Sequence, residues 1–262
     1  DFDFNATLGG NLYKVNNQTI VTTAKDMKIR DVVALMSFNE VSVEPYSYRK
    51  QINSVYGAVN LGWKHMLYFD ATLRGDQSST LPISNNMYIY PSFSGSFVFS
   101  ELLKLGDKLP YGKVRMSWAQ VGSDTDPYQL GLVYTKSKFA YPGYTIGYIS
   151  NGTIPNKDLK PTKTNSFEMG LELKFLKNRI GLDFTYYSQL SKNQIMGMAS
   201  SSTSGYGYRL INAGEIENKG VEIALNTRPI QTKDFSWDLN FNFSKNSNKV
   251  KKLVDDMDMF EL

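Results

Sequence analysis

Ser166-Phe167-Glu168-Met169-Gly170-Leu171-Glu172-Leu173-Lys174-Phe175 changes character at every residue, apolar on one side and polar or small on the other. After Leu176-Lys177-Asn178 the alternation resumes as Arg179-Ile180-Gly181-Leu182-Asp183-Phe184-Thr185-Tyr186-Tyr187. A period of two is the strand period, because successive side chains point to opposite faces of a sheet. Two such runs joined by a tight connection at 177–178 form an antiparallel hairpin.

The same period recurs along the chain, about nine times in all. Phe2, Phe4, Ala6 and Leu8 alternate with Asp3, Asn5 and Thr7; Val55, Gly57, Val59, Leu61 and Trp63 with Ser54, Tyr56, Ala58 and Asn60; Leu67, Phe69, Ala71 and Leu73 with Tyr68, Asp70, Thr72 and Arg74. Then come Met87, Ile89, Phe93, Phe97 and Phe99 against Tyr88, Tyr90, Ser92, Ser94 and Ser96, and Val114, Met116 and Trp118 against Lys113, Arg115 and Ser117. Beyond the opening hairpin, Val221, Ile223 and Leu225 oppose Glu222, Ala224 and Asn226, and Phe235 to Phe243 oppose Ser236 to Ser244.

The connections differ in length. Short ones fall near 62–65, 177–178 and 230–234, with an intermediate one at 101–110; long ones fall near 13–49, 76–86, 123–164 and 195–217. Short turns at one end and long loops at the other are the rule in outer-membrane barrels. The helical pattern fails almost everywhere, and only 27–37 reads as a turn or two of amphipathic helix inside the first long loop. The fold expected is all-β: an antiparallel transmembrane β-barrel with long extracellular loops, filling 1–262 as part of one domain.

Composition fits that reading. The chain is 41% hydrophobic and 21% charged, so it can fold, yet it holds 17 Tyr and 15 Phe, residues suited to membrane interfaces. No apolar run is long enough for a transmembrane helix, but a barrel strand crosses with about 9–11 residues, alternately apolar. Net charge is +4 with no basic run, so nucleic acid is not an expected partner. With no Cys there is no thiolate metal site, and a single His65 removes most His-based chemistry, multi-His zinc sites and Ser-His-Asp triads among it. No cofactor, metal or catalytic residue is expected. Asp1-Phe2-Asp3-Phe4 begins inside an alternating pattern, as a processed or incomplete chain would.

The polar face carries real charge: Asp70, Arg74, Arg115, Glu168, Glu172, Asp183, Glu222 and Asp238 all fall on it. In a barrel that face lines the lumen. Bacterial single-chain barrels have an even number of strands, and unpaired edges cannot stand in hydrocarbon. Nine strands are therefore expected to belong to a larger barrel.

Several segments resemble a known family. Asn212-Ala213-Gly214-Glu215-Ile216-Glu217-Asn218-Lys219-Gly220-Val221-Glu222 is similar to the NAG…NKGVE signature of the SusC/RagA-type TonB-linked outer-membrane transporters of Bacteroidetes. Pro155-Asn156-Lys157-Asp158-Leu159-Lys160-Pro161-Thr162-Lys163-Thr164-Asn165-Ser166-Phe167-Glu168-Met169-Gly170 resembles the same family, as do Val55-Tyr56-Gly57, Leu73-Arg74-Gly75-Asp76-Gln77-Ser78-Ser79-Thr80-Leu81-Pro82, Tyr90-Pro91-Ser92 and Arg115-Met116-Ser117-Trp118-Ala119-Gln120-Val121-Gly122. The resemblance runs through almost the whole chain in the family's order and covers a central-to-late part of its barrel. It implies a 22-stranded barrel around a plug, a SusD-like surface lipoprotein over the extracellular mouth, TonB acting on the plug, and a glycan or peptide substrate.

Glu168, Glu172, Asp183, Glu222 and Asp238 could pair for glycoside hydrolysis, but charged lumen residues are ordinary in barrels, where Arg74, Lys113, Arg115, Lys174 and Arg228 would balance them. Asp124 and Asp126 alternate oxygens as a calcium loop does, yet lack the further ligands calcium needs. Tyr141, Tyr144, Tyr148, Tyr206 and Tyr208 are candidates for contact with the lipoprotein lid or the substrate, against simple packing within the loops. His65 beside Trp63 reads as an interfacial residue. Gly9-Gly10 and Gly205-Tyr206-Gly207 lack the strand and helix that a phosphate loop needs. The function expected is import across the outer membrane; the alternatives are a barrel serving as scaffold in a larger assembly, and a barrel hydrolase, which the missing His/Ser/Asp set disfavours.

Overall fold

The computed structural model describes residues 1–104, 106–136, 143–144, 146–149 and 152–253. Nine long strands form a single antiparallel meander: β1 (Phe2–Met27), β2 (Phe38–Trp63), β3 (Leu67–Ser78), β4 (Met87–Val98), β5 (Tyr111–Ser123), β9 (Thr162–Phe175), β10 (Ile180–Ala199), β11 (Tyr208–Gln231) and β12 (Ser236–Lys252). Between β5 and β9 lie three short strands. β6 (Tyr134–Lys136) pairs with β7 (Gly147–Ile149), and β8 (Thr153–Ile154) runs parallel to the start of β11. A helical turn, α1 (Phe99–Leu103), follows β4.

Directly opposed residues share a face, so the register assigns every side chain. One row runs Phe4, Leu61, Phe69, Gly95, Met116, Met169, Tyr186 and Val221. The next runs Phe2, Trp63, Leu67, Phe97, Val114, Leu171, Phe184, Ile223 and Phe243. This face is apolar from β1 to β12. On β2 it extends from Val55 to Trp63, roughly 27 Å of strand at about 3.4 Å per residue. Tilted by about 40°, that is roughly 21 Å, close to the ~25 Å apolar band of an outer-membrane barrel. Aromatic rings border it: Trp63 and Trp237 at the short-turn end, Trp118 stacked 6.1 Å from Phe93 toward the other. Beyond Trp118, Phe167 and Val221 the same face turns polar, with Gln120, Asn165 and Lys219.

The large apolar residues are therefore exposed. Leu8 is 84% exposed and Phe4 63%, while only six apolar residues are buried among the described ones. The surface is 18491 Å², against about 11,600 Å² for a compact monomer of this mass. These strands form a wall, not a globule, and nine of them do not close a barrel.

Connections follow the expected asymmetry. Turns at 64–66, 176–179 and 232–235, with the helical link at 99–110, join strands at one end; 28–37, 79–86, 124–161 and 200–207 join them at the other. Two expected loops are corrected. Most of 13–49 is strand, because β1 and β2 continue in one unbroken register from Phe2–Trp63 to Met27–Phe38. Since β3 meets β2 only from Ile52 onward, 13–27 and 38–51 stand as a hairpin beyond the rest of the sheet, roughly 48 Å long. Most of 195–217 is likewise strand, with β10 and β11 pairing out to Ala199–Tyr208. The helix expected at 27–37 is absent: Met27 ends β1, and only Leu35–Ser37 makes one 3-10 turn. A segment this short gains too little to nucleate a helix without a packed face.

Candidate functional site

The polar face begins at Arg115 on β5. Its row continues through Gly170 on β9, Thr185 on β10 and Glu222 on β11. Gly170 decides what Arg115 can reach. A Cβ there would stand 2.4 Å from Arg115 Nε, so only glycine lets the guanidinium lie across β9. Arg115 then donates to both Asp183 oxygens, at 3.0 and 2.7 Å, and to Thr185 Oγ1 at 2.7 Å. The forked geometry is the strong form of an Arg–carboxylate pair. Beside it lies an open recess of about 370 Å³ bordered by Glu222, Asn242 and Ser244.

The other candidates sit on the same face in smaller pairs. Asp70 accepts from Asn60 at 2.6 Å and Ser94 at 2.8 Å. Arg228 Nε meets Asp238 at 2.6 Å, and Lys174 lies 3.7 Å from Glu172. Glu168 and Glu222 make no ion pair with a described residue. With Asp70, the lumen carboxylates are distributed over five strands, and Asp70, Glu172, Asp183 and Asp238 each lie beside a donor.

Toward the long-loop end a denser cluster forms. Arg74 donates to Asp76 at 2.9 Å, Tyr90 at 3.0 Å and Ser54 at 2.8 Å, and its guanidinium lies 5.8 Å from the Tyr56 ring centroid. The Tyr90 hydroxyl donates to the other Asp76 oxygen. Above it, Asp124 accepts from Lys50 at 2.6 Å, Ser78 at 2.5 Å and Thr80 at 3.1 Å. Asp124 therefore ties the start of the 124–161 loop to β2 and to the loop after β3, and its oxygens face an ammonium and two hydroxyls.

Loop 152–161 is stitched down as a strand would be. The Asn212 side chain accepts from Lys160 N and donates to Lys160 O, both at 2.7 Å, and donates to Asn193 O at 3.1 Å. Tyr208 N bonds Gly152 O at 2.9 Å. Beneath the stitch Leu159 is fully buried with Leu81 and Tyr88, and Tyr90, Leu130, Ile195 and Leu210 pack around them. Among the described residues this is the one apolar core cluster, and it holds the loops over that end of the wall.

Of the loop tyrosines, Tyr144 is 72% exposed, Tyr148 and Tyr208 are about half exposed and Tyr206 is half-buried. Tyr141 lies outside the described residues. Reading the sequence missed Tyr88, Tyr90, Asp76 and Asn212 as site residues. Asn212 and Lys160 each lie in a motif quoted above, and those motifs turn out to touch.

A family model described as "TonB dependent receptor-like, beta-barrel" matches residues 1–257. The chain belongs to the TonB-dependent receptor β-barrel family. Within it, the chain is 30% identical to TonB-dependent receptor P3 of Formosa agariphila over 97% of its own length and 26% of that protein's. It is also 30% identical to TonB-dependent receptor SusC of Bacteroides thetaiotaomicron, over 82% of this chain and 22% of SusC. The structure of the RagAB peptide importer in its closed-closed state superposes with a TM-score of 0.87 at 22% identity, covering 100% of this chain and 29% of that one. The TonB-dependent receptor wall seen here thus spans about a quarter of the length of the curated relatives, and its resemblance to the SusC/RagA type holds in both sequence and fold.

Proposed function

We propose that this chain forms part of the barrel wall and extracellular loops of a SusC-like outer-membrane importer for oligosaccharides or peptides. The observation that carries this is the two-faced meander: one face continuously apolar from β1 to β12, the other charged, with loops stitched over one end only. In that reading the apolar face meets outer-membrane lipid, the short turns face the periplasm and the long loops face outward. Asp70, Arg74, Arg115, Glu168, Glu172, Asp183, Glu222 and Asp238 line the lumen around a plug that TonB pulls. Tyr144, Tyr148, Tyr206 and Tyr208 meet a SusD-like lipoprotein or the substrate. Plug and TonB box belong to other parts of the receptor, and residues 1–262 to its single barrel domain.

The test is uptake by cells that carry the complete receptor, with labelled oligosaccharides in one arm and labelled peptides in the other. Import that disappears when the receptor gene or its TonB box is deleted supports the proposal, as does co-purification of a surface lipoprotein. Unchanged uptake of both classes, with the receptor still assembled, would favour the scaffold role.

A further inference from the structure

The apolar face has a hole in it. Gly95 on β4 faces Phe69 of β3 and Met116 of β5 in register. With no side chain there, a recess of about 480 Å³ opens, walled by Trp63, Leu67, Phe69, Phe97 and Met116. Bulky side chains around a bare glycine leave a broad, open recess in the apolar face.

A cation stands beside Trp63, one wall of this recess. The tight turn after β2 holds Lys64 and His65 at φ of 50° and 56°, which turns the chain back within three residues. Lys64 Nζ then lies 4.7 Å from the centroid of the Trp63 ring. Trp63 opposes Phe2 and Leu67, so it belongs to the apolar face. The cation–π contact therefore draws the ammonium toward the membrane side of the turn. Lys64 forms no ion pair with any described carboxylate. Apolar walls ending at one uncompensated cation, at the depth where a bilayer changes from hydrocarbon to headgroup, complement an anionic lipid.

We propose that this recess binds an anionic phospholipid of the leaflet at the short-turn end, an acyl chain lying over Gly95 and the phosphate on Lys64; this rests on the membrane orientation given under Proposed function. A second copy of the chain pressed on this face would cover the recess but leave the cation without a counter-charge. A zwitterionic lipid would fill the recess while gaining less from Lys64.

The test uses the complete receptor in nanodiscs of phosphatidylcholine and phosphatidylglycerol, with retained lipids counted by native mass spectrometry. One phosphatidylglycerol is expected to stay bound through delipidation. Lys64→Glu should lower its preference over phosphatidylcholine about fivefold or more. Gly95→Leu should fill the recess and remove retention of both lipids. The nearest atom to a Cβ at Gly95 is Tyr68 O at 3.9 Å, so the branch point enters without pressing on the backbone. Lys177→Glu, at another short turn but paired with Asp107 at 3.3 Å, should change nothing. Equal retention of phosphatidylglycerol by wild type and Lys64→Glu overturns the proposal, as does a receptor dimer that shields the recess. A receptor that imports normally but shows no lipid preference defeats this inference alone; one that does not insert into bilayers defeats the function proposed above.

Discussion

Gly170→Val tests whether the polar face is organised around Arg115. Any Cβ at 170 falls 2.4–2.8 Å from Arg115 Nε, Cζ and Cγ, so the guanidinium must leave. Three hydrogen bonds go with it: two to Asp183 and one to Thr185. Charge-assisted hydrogen bonds contribute about 1.5–3 kcal/mol each where desolvated. Arg115 and Asp183 are 36% and 35% exposed, so solvent screening reduces this sharply. A total loss of about 2 kcal/mol is expected. The assay is urea unfolding of the complete receptor in lipid vesicles, run as a cycle with Arg115→Ala. If glycine matters because it clears a path for Arg115, Gly170→Val should cost little once Arg115 is gone, giving a coupling of about 1–2 kcal/mol. Costs that add to within ~0.3–0.5 kcal/mol would mean the two residues act independently, and the reading of Gly170 would be wrong.

Other expectations concern different parts of the wall. Leu171→Arg or Phe184→Arg, opposed in the middle of the apolar face, should cost about 2–4 kcal/mol of folding into bilayers; unchanged vesicle folding would mean the faces are reversed. Glu172→Gln should cost under ~1 kcal/mol, because its partner Lys174 is 3.7 Å away and 43% exposed, so loss of the folded band on unheated gels would refute that. Asn212→Ala removes the stitch to Lys160 and should raise protease cleavage of the 152–161 loop about tenfold, the equivalent of ~1.4 kcal/mol of local stability; an unchanged cleavage rate would show that Leu159 burial alone holds the loop. Asp124→Ala leaves Lys50 without its counter-ion and should speed amide exchange at Ser79 and Thr80, read by mass spectrometry.

The strands were legible wherever the two faces of the sheet meet different surroundings. From Phe167 to Phe175 the alternation is complete because one side is apolar and the other carries charge. The same strands become unreadable where both faces are wet. Lys14-Val15-Asn16-Asn17-Gln18-Thr19 has no alternation, yet it is paired residue for residue with β2; only backbone hydrogen bonding marks it as strand. The ends of β10 and β11 lack alternation for another reason: Ile195 and Leu210 pack against the buried cluster under the loops, and Met198 and Ala213 are buried. Residue types at the site were visible, but partners were not. Asp183 reads as one lumen acid among several until Gly170 opens the way from Arg115. Asp124 suggests a cation loop until Lys50, 74 positions away, is seen to supply the cation. The Asn212 stitch joins residues 52 positions apart, and no local pattern announces such a contact.

The hairpin of β1 and β2 is governed from below. Its outer length has no buried stripe to penalise a slip, and a sheet that is polar on both sides specifies register weakly. Its alignment is nonetheless unbroken to Met27–Phe38. The lower pairs, Phe2–Trp63 to Gly10–Val55, tolerate no shift, since moving β1 by one residue would turn Phe4 and Leu8 to the polar side while β3 holds β2 in place. The apolar band thus works as a ruler for a segment it never touches. Adding or removing residues in 28–37 should alter only the tip, whereas one residue inserted between Leu8 and Tyr13 would set the whole projection against its partner.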